Sequence, residues 1–342
     1  MLINPTGTWD LELDVNILNP IYNYKLKGKK IFVAGHQGML GSAICRRLEK
    51  EDVEVLTITH ASLDLTRQLD VENWVKLNSP DSIIIAAAKV GGIYANDKFS
   101  ADFIYENIQI QNNLIHSSMK NNIKKFLFLG SSCIYPRESK QPIKEEYLLT
   151  DSLEETNEAY AIAKISGIKM LEHYQKCYEL KSVCLMPCNL YGNNDNYDLK
   201  TSHVFPALIR KFVDAKINNS PFVEIWGTGR VFREFMHVND VARASIYFME
   251  NEFKTNLINI GWGKEISIID LVELIKKTTK YSGNISWDKS KKDGTVNKKL
   301  DVEKMKTSGF QPVISLEEGI NLTIESFCQE YYNKSFQSLI NN

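Results

Sequence analysis

The feature that most constrains this chain is a glycine-spaced turn set between an apolar strand and a helix. Lys30-Ile-Phe-Val-Ala34 has the composition of a buried strand, Gly35-His-Gln-Gly38-Met-Leu-Gly41 comes directly after it, and Met39 to Leu48 repeats apolar residues at helical spacing. Glycine lets the backbone turn tightly and lets a diphosphate approach it closely. The helix N-terminus then offers unbonded N–H groups and the positive end of its dipole. A glycine triplet alone says little, but here it has the strand–turn–helix context such a site requires. We read it as a dinucleotide-binding turn, with Gly35, Gln37, Gly38, Met39, Leu40 and Gly41 as cofactor contacts.

The chain downstream repeats that first unit. Apolar strands near 53–58, 82–87, 125–129 and 182–186 alternate with helical patterns near 71–77, 101–120 and 160–178. Such alternation implies βαβ units, and hence an α/β fold with a Rossmann-type doubly wound parallel sheet. The regularity stops at the loop Asn193-Asn-Asp-Asn196. We therefore expect an N-terminal extension over 1–28, a dinucleotide-binding domain over 29–192, and a smaller C-terminal α+β substrate-binding lobe making up most of 193–342. A late strand near 256–261 should return to the first sheet. Trp9, Tyr22 and Tyr24 suggest that the extension packs on the body.

Composition narrows the function classes. Among 342 residues, 41 Lys plus Arg balance 42 Asp plus Glu for a net charge of −1. That gives no support for nucleic-acid or anionic-membrane binding. No apolar run approaches the roughly 18 residues of a membrane helix. The six cysteines form no Cys-x-x-Cys and stand at no zinc-site spacing, so we read them as reduced thiols and expect no metal. The acidic N-terminus lacks the basic and apolar regions of a secretory leader, and the expectation is a cytoplasmic protein.

Two further constellations carry chemistry. Tyr160-Ala-Ile-Ala-Lys164 puts a phenol and an ammonium on one helix face, one turn apart. A nearby ammonium favours the phenolate and brings tyrosine toward the range in which it exchanges protons at neutral pH. Ser131 comes just after the strand 125–129, at the carboxyl end where doubly wound sheets bind ligands, and can hydrogen-bond a substrate carbonyl. The ribose-binding acid expected about 20 residues beyond the glycines is missing from 55–60. Asp64 comes late, and His60 can hydrogen-bond a phosphate. The balance favours NADP, with NAD as the alternative.

These residues together resemble the extended short-chain dehydrogenase/reductase family that acts on nucleotide sugars. The segments AGHQGMLGSAI, AAAKVGGI, GSSCIYP, NEAYAIAKISGIKM, NLYGNNDNY, SHVFPALIRKF, WGTGRVFREFMHVND and DGTVNKKLD are similar to the branch that makes GDP-L-fucose from GDP-4-keto-6-deoxymannose. The similarity covers about residues 30–330 and leaves 1–28 outside it. It implies an NADP(H)-dependent 3,5-epimerase/4-reductase with Ser131, Tyr160 and Lys164 as the reductase triad. It implies Cys133 and His203 as the epimerisation acid and base. Asn189 and Leu190, after Pro187, match a stretch at the nicotinamide end of the cofactor, and we assign Ala87, Lys164, His203, His60 and Asp64 to the cofactor as well. Lys211, Trp226, Arg233 and Lys291 match the GDP-sugar site. Where family members carry arginines, this chain has Gln37, His60 and Lys211.

The chemistry suits those residue types. A 4-keto group acidifies the C–H bonds at C3 and C5, and inversion needs a base on one face and an acid on the other. A thiol and an imidazole both titrate near enough to neutral pH for this. Arg210, Lys211, Arg230, Arg233 and Lys291 are available to a diphosphate. A 4,6-dehydratase would carry an Asp-Glu pair where this chain has Ser132-Cys133. A UDP-hexose 4-epimerase would lack the Cys/His pair, and a non-catalytic sensor would be expected to lose Tyr160 or Lys164. A 4-reductase acting on another GDP-4-keto sugar, a heptose or a dideoxyhexose, after a separate epimerase remains the alternative. Apolar positions on the helices near 101–120 and 160–178 point to a homodimer.

Overall fold

The computed structural model describes residues 20–291 and 297–340. Trp9 lies outside the described residues. Six parallel strands form the central sheet, in the spatial order Leu257–Ile260, Lys181–Pro187, Lys125–Leu129, Ser82–Ile85, Lys30–Ala34, Glu54–Leu56. The inner strands are apolar almost throughout because helices cover both faces, which leaves no side for an alternating pattern. From Lys30–Ala34 the chain steps one way to Glu54–Leu56, then crosses back to Ser82–Ile85 and continues outward. That reversal opens a crevice beyond the carboxyl ends of the two strands at the switch point.

The helices Met39–Leu48, Gln68–Asn78, Ser100–Lys120 and Glu158–Tyr178 connect these strands. The first has the bounds expected from sequence, and the other three extend theirs by one to three residues at an end, because end turns lack apolar periodicity. The helices Ser100–Lys120 and Glu158–Tyr178 pack side by side through polar as well as apolar groups. Gln111 is buried and donates to the Ala163 carbonyl (2.5 Å) and Ser166 Oγ (2.8 Å). Phe103, Leu114, Ile115, Ile165, Ile168 and Leu171 are consumed by this monomer core.

The returning strand Leu257–Ile260 adds to the sheet beside Lys181–Pro187. Beyond residue 193 the chain divides itself between two apolar clusters. Helix Val238–Glu250 and residues Leu300, Val302, Met305 and Phe310 join the core around the sheet. Helices Val204–Ile217, Ile268–Thr278 and Leu316–Tyr332 build the second cluster, with the paired strands Phe222–Trp226 and Asn284–Asp288. Part of the extension is structured: Tyr22 and Asn23 pair with Glu252 and Asn251, and Tyr24 and Leu26 are buried in the first core. No helix among the described residues is long and apolar enough to cross a membrane, and no described group of His, Cys, Asp and Glu could hold a metal ion.

Candidate active site

The glycine turn is built as its spacing demands, though each glycine has a different reason. Gly35 has φ +88°, and a Cβ there would lie 2.5 Å from the Ala87 nitrogen across the switch point. A Cβ on Gly41 would lie 2.0 Å from the Gly35 carbonyl oxygen, so no side chain fits. Gly38 is different: a Cβ would meet only the Gly35 oxygen at 3.5 Å, an ordinary contact. Nothing among the described residues excludes a side chain at 38. Gly38 is the N-cap of helix Met39–Leu48 and supplies no side-chain cap, so the first-turn N–H groups face outward for an anion. Gln37 is exposed beside it, with Met39 and Leu40 half-buried. This cradle fits the diphosphate of a dinucleotide.

On one side of this cradle, His60 is exposed in the turn beyond strand Glu54–Leu56. Asp64 accepts from the Thr66 N–H (2.9 Å) and Thr66 Oγ1 (2.7 Å), and Arg67 Nε stands 3.8 Å off. The Thr66 hydrogen bonds hold its carboxyl below the usual range. Asp64 thus closes a local turn. At the other end, Pro187 finishes its strand, and Asn189–Tyr191 forms the next, with Asn189 donating to the Glu234 carbonyl (2.9 Å) and Leu190 half-buried.

Ser131, Cys133, Tyr160 and Lys164 converge beyond strand Lys125–Leu129. Ser131 caps a single helical turn, Ser132–Ile134, by accepting from the Cys133 N–H (3.2 Å). Lys164 is 3% exposed, donates to the carbonyl of Leu129 (2.8 Å) and lies 4.7 Å from the Phe128 ring centroid. Its ammonium is 5.8 Å from the Tyr160 ring. Burial lowers Lys164 to about 8. Burial, reinforced by the Cys133 thiol, raises Tyr160 above the ordinary phenol value. This corrects the sequence expectation of a phenol drawn toward neutrality. The ammonium hydrogen-bonds a backbone carbonyl and desolvation dominates, so Tyr160 stays in its protonated, acid form.

His203 is the N-cap of helix Val204–Ile217 and is solvent-accessible, yet desolvation holds its imidazole below the ordinary value. A side chain that is both accessible and desolvated lines a cleft. Its loop is held to the first body where Gly92 N–H donates to the Thr201 carbonyl (3.3 Å), and a Cβ on Gly92 would press on both Thr201 and Ser202.

Farther along that helix, Lys211 donates to the Glu224 carbonyl (2.8 Å). Trp226 is 57% exposed, and the ammonium groups of Lys211 and Lys291 each stand 5.3 Å from its ring centroid. An exposed indole between two cations is a stacking face for a base beside sites for a phosphate. Arg233 is half-buried on strand Phe232–His237 and donates to the Phe232 carbonyl (2.6 Å). Arg210 is committed elsewhere, to Asp214 (3.4 Å) and the Tyr197 carbonyl (3.0 Å).

Two residues escaped sequence reasoning. Lys298 donates to Cys133 Sγ at 3.9 Å, across 165 positions of sequence. Glu234, fully buried, accepts from the N–H groups of Gly263 (2.6 Å) and Leu300 (2.9 Å), and burial pushes it up to about 7. Neither has a local signal: one is a lysine among lysines, the other an acid in a strand.

This fold and site define a class, and the chain belongs to the NAD dependent epimerase/dehydratase family, whose model matches residues 31–261. Within it the chain is 48% identical over 309 residues to GDP-L-fucose synthase 1 of Arabidopsis thaliana, covering 90% of this chain and 96% of that one. It is 49% identical over 304 residues to the GDP-L-fucose synthase of Sinorhizobium fredii, covering 89% and 97%. Among solved structures it resembles a GDP-6-OMe-4-keto-L-xylo-heptose reductase from C. jejuni, with TM-score 0.84, 34% identity and 90% and 99% coverage. It also resembles a GDP-L-fucose synthetase from Naegleria fowleri bound to NADP, with TM-score 0.83, 26% identity and 93% and 97% coverage.

Proposed function

We propose that this protein is an NADP(H)-dependent 3,5-epimerase/4-reductase that converts GDP-4-keto-6-deoxymannose to GDP-L-fucose. The observation that carries the reading is the convergence of Ser131, Cys133, Tyr160 and Lys164 beyond one central strand. Identity of 48% over nine-tenths of the chain to a GDP-L-fucose synthase supports the substrate.

NADP lies along the switch-point crevice in this reading. Gly35, Gln37, Gly38, Met39, Leu40 and Gly41 would receive its diphosphate, His60 and Asp64 would serve the adenosine ribose, and Ala87 would line the crevice. Pro187, Asn189, Leu190, Lys164 and His203 serve the nicotinamide end. When bound, the reduced cofactor supplies the electrons for reduction at C4. Ser131 hydrogen-bonds the 4-keto oxygen, and Tyr160, kept protonated by burial, gives that oxygen its proton as charge develops. The Lys164 ammonium stabilises the phenolate that remains.

Epimerisation precedes this on the same ketone. A C–H bond at C3 or C5 breaks, its electron pair passes into the enolate, and one of Cys133 and His203 takes the proton while the other returns one to the opposite face. Trp226 stacks on the guanine, with Lys211, Lys291 and Arg233 on the diphosphate. The substrate lobe is the part of the chain around these residues, and residues 1–28 take no part in the chemistry.

The protein works as a homodimer in the cytoplasm. Ile104, Ile108 and Met170 are only half-buried, and Tyr105 and Ile162 are 60% and 40% exposed on the two packed helices, a face suited to a two-fold partner.

A second reading, reduction alone on a heptose, has the likeness to the C. jejuni reductase in its favour, at the lower identity of 34%. Exchange in heavy water separates the two. Tyr160→Phe should abolish cofactor oxidation while deuterium still enters C3 and C5, and Cys133→Ser should suppress that entry. Absence of any exchange with the parent enzyme and GDP-4-keto-6-deoxymannose would leave the reductase reading.

A further inference from the structure

Lys298 and Glu234 belong to one arrangement. The segment 298–301 lies against residues 141–143: Ile143 N–H donates to the Lys299 carbonyl and Asp301 N–H to the Ile143 carbonyl, both at 2.8 Å. Its other side is held by Glu234, whose Oε2 accepts from the Leu300 N–H (2.9 Å) and whose Oε1 accepts from the Gly263 N–H (2.6 Å). Room for that carboxylate is made by Gly261, where a Cβ would lie 2.2 Å from Oε1. Leu300 is 1% exposed, so the segment has one seat. From that seat the half-buried Lys298 reaches Cys133 Sγ at 3.9 Å.

We infer that Lys298 is a catalytic partner of Cys133, its ammonium stabilising the thiolate, and that Glu234 is the positioning residue that seats it. The inference rests on the reading of Cys133 as one of the two epimerisation groups. Whichever way the proton runs, Cys133 is a thiolate at one end of the step, and the charge sits on sulfur while the enolate forms or collapses. A cation in contact with that sulfur lowers the energy of that end. Lys298 neither gives nor takes a proton in this step, so the proton balance is carried by Cys133, His203 and the substrate alone. The three groups come from three distant parts of the chain. The second-lobe strand that carries Arg233 also carries Glu234, so the substrate lobe and the epimerisation thiol share one support.

The test uses the full-length enzyme with GDP-4-keto-6-deoxymannose in heavy water, and reads deuterium entry at C3 and C5 and the rate of iodoacetamide labelling of Cys133 by peptide mass. Lys298→Met should slow exchange by about 10²-fold and slow labelling by about tenfold at neutral pH. Lys298→Arg, which keeps the charge, should recover most of both. Glu234→Gln retains one acceptor and should slow both by about tenfold, with exchange falling more than cofactor oxidation. Glu234→Asp, which withdraws the carboxylate by one methylene, gives a second reading should the glutamine variant not fold. Exchange and labelling both unchanged in Lys298→Met, while Cys133→Ser abolishes exchange, would overturn this inference and leave the role of Cys133 standing. Exchange unchanged in Cys133→Ser would instead overturn that role, and the labelling rates would still decide whether Lys298 acts on the thiol.

Discussion

Lys164→Met should remove catalysis without weakening the fold. Lys164 is 3% exposed and has no carboxylate beside it among the described residues. A lysine whose pKa falls from 10.5 to about 8 carries an ammonium about 3 kcal/mol less stable in the fold than in the unfolded chain. Methionine has nearly the same length and carries no charge. The loss is the hydrogen bond to the Leu129 carbonyl, and leaving that oxygen unpaired costs about 1–3 kcal/mol. The two terms nearly cancel, so at pH 7 the melting temperature of the ligand-free protein should stay level or rise by a few degrees. Cofactor oxidation should fall by about 10²–10⁴-fold, because the Tyr160 phenolate loses its cation.

The pH dependence has a definite sign. The folded pKa lies below the unfolded one, so between about 8 and 10.5 the unfolded chain binds the proton that the folded protein has released. The parent protein therefore gains stability relative to the Met variant as pH rises through that window, and loses that gain as pH falls through about 8. Melting followed by circular dichroism, with cofactor oxidation followed by absorbance, checks both halves. A drop of more than about 5 °C at pH 7 would show the ammonium to be a structural tie. Activity within tenfold of the parent would refute its place in the reaction.

Named contacts lead to other outcomes. Gly41→Ala should prevent folding or cost several degrees of melting temperature, since its Cβ would overlap the Gly35 carbonyl, whereas Gly38→Ala should fold normally and bind NADPH about tenfold or more weakly by fluorescence titration. The pH profile of kcat/KM for cofactor oxidation should fall as pH rises through about 8, where Lys164 gives up its proton; a flat profile there would count against the triad. Sedimentation at micromolar concentration should show a dimer, and Ile162→Glu should shift it toward monomer; a monomeric parent would remove the proposed interface. A chain starting at residue 29 should melt lower than one starting at 20, because only the first cut removes Tyr24 and Leu26 from the core; equal melting would refute their packing role.

Much of this protein was legible locally. The strand–turn–helix around Gly35, Gly38 and Gly41 was legible from spacing, because the turn closes on itself where Gly41 meets the Gly35 carbonyl, although the contact of Gly35 with the distant Ala87 was not. The parallel sheet was readable because strands covered on both faces lose their alternation, and Lys125–Leu129 is apolar after its first residue for that reason. Tyr160 and Lys164 share a helix face by a rule of helix geometry. The path of the chain beyond residue 193 was harder to read, since the first and second cores draw on interleaved segments whose apolar residues look alike in sequence.

Tertiary structure decided whatever depends on distance through space and on solvent. The sequence places Lys164 beside Tyr160 but is silent on how deeply each is buried, and burial reverses the direction of the expected tyrosine shift. It offers five basic residues for a diphosphate, and only packing shows Arg210 tied to Asp214 while Lys211 and Lys291 flank Trp226. It gives no hint that Lys298 meets Cys133 or that a buried Glu234 holds the segment between them. Those partners lie 165 and 66 residues apart. Short-range spacing encodes turns and helix faces; pairings over such separations exist only after the core has closed.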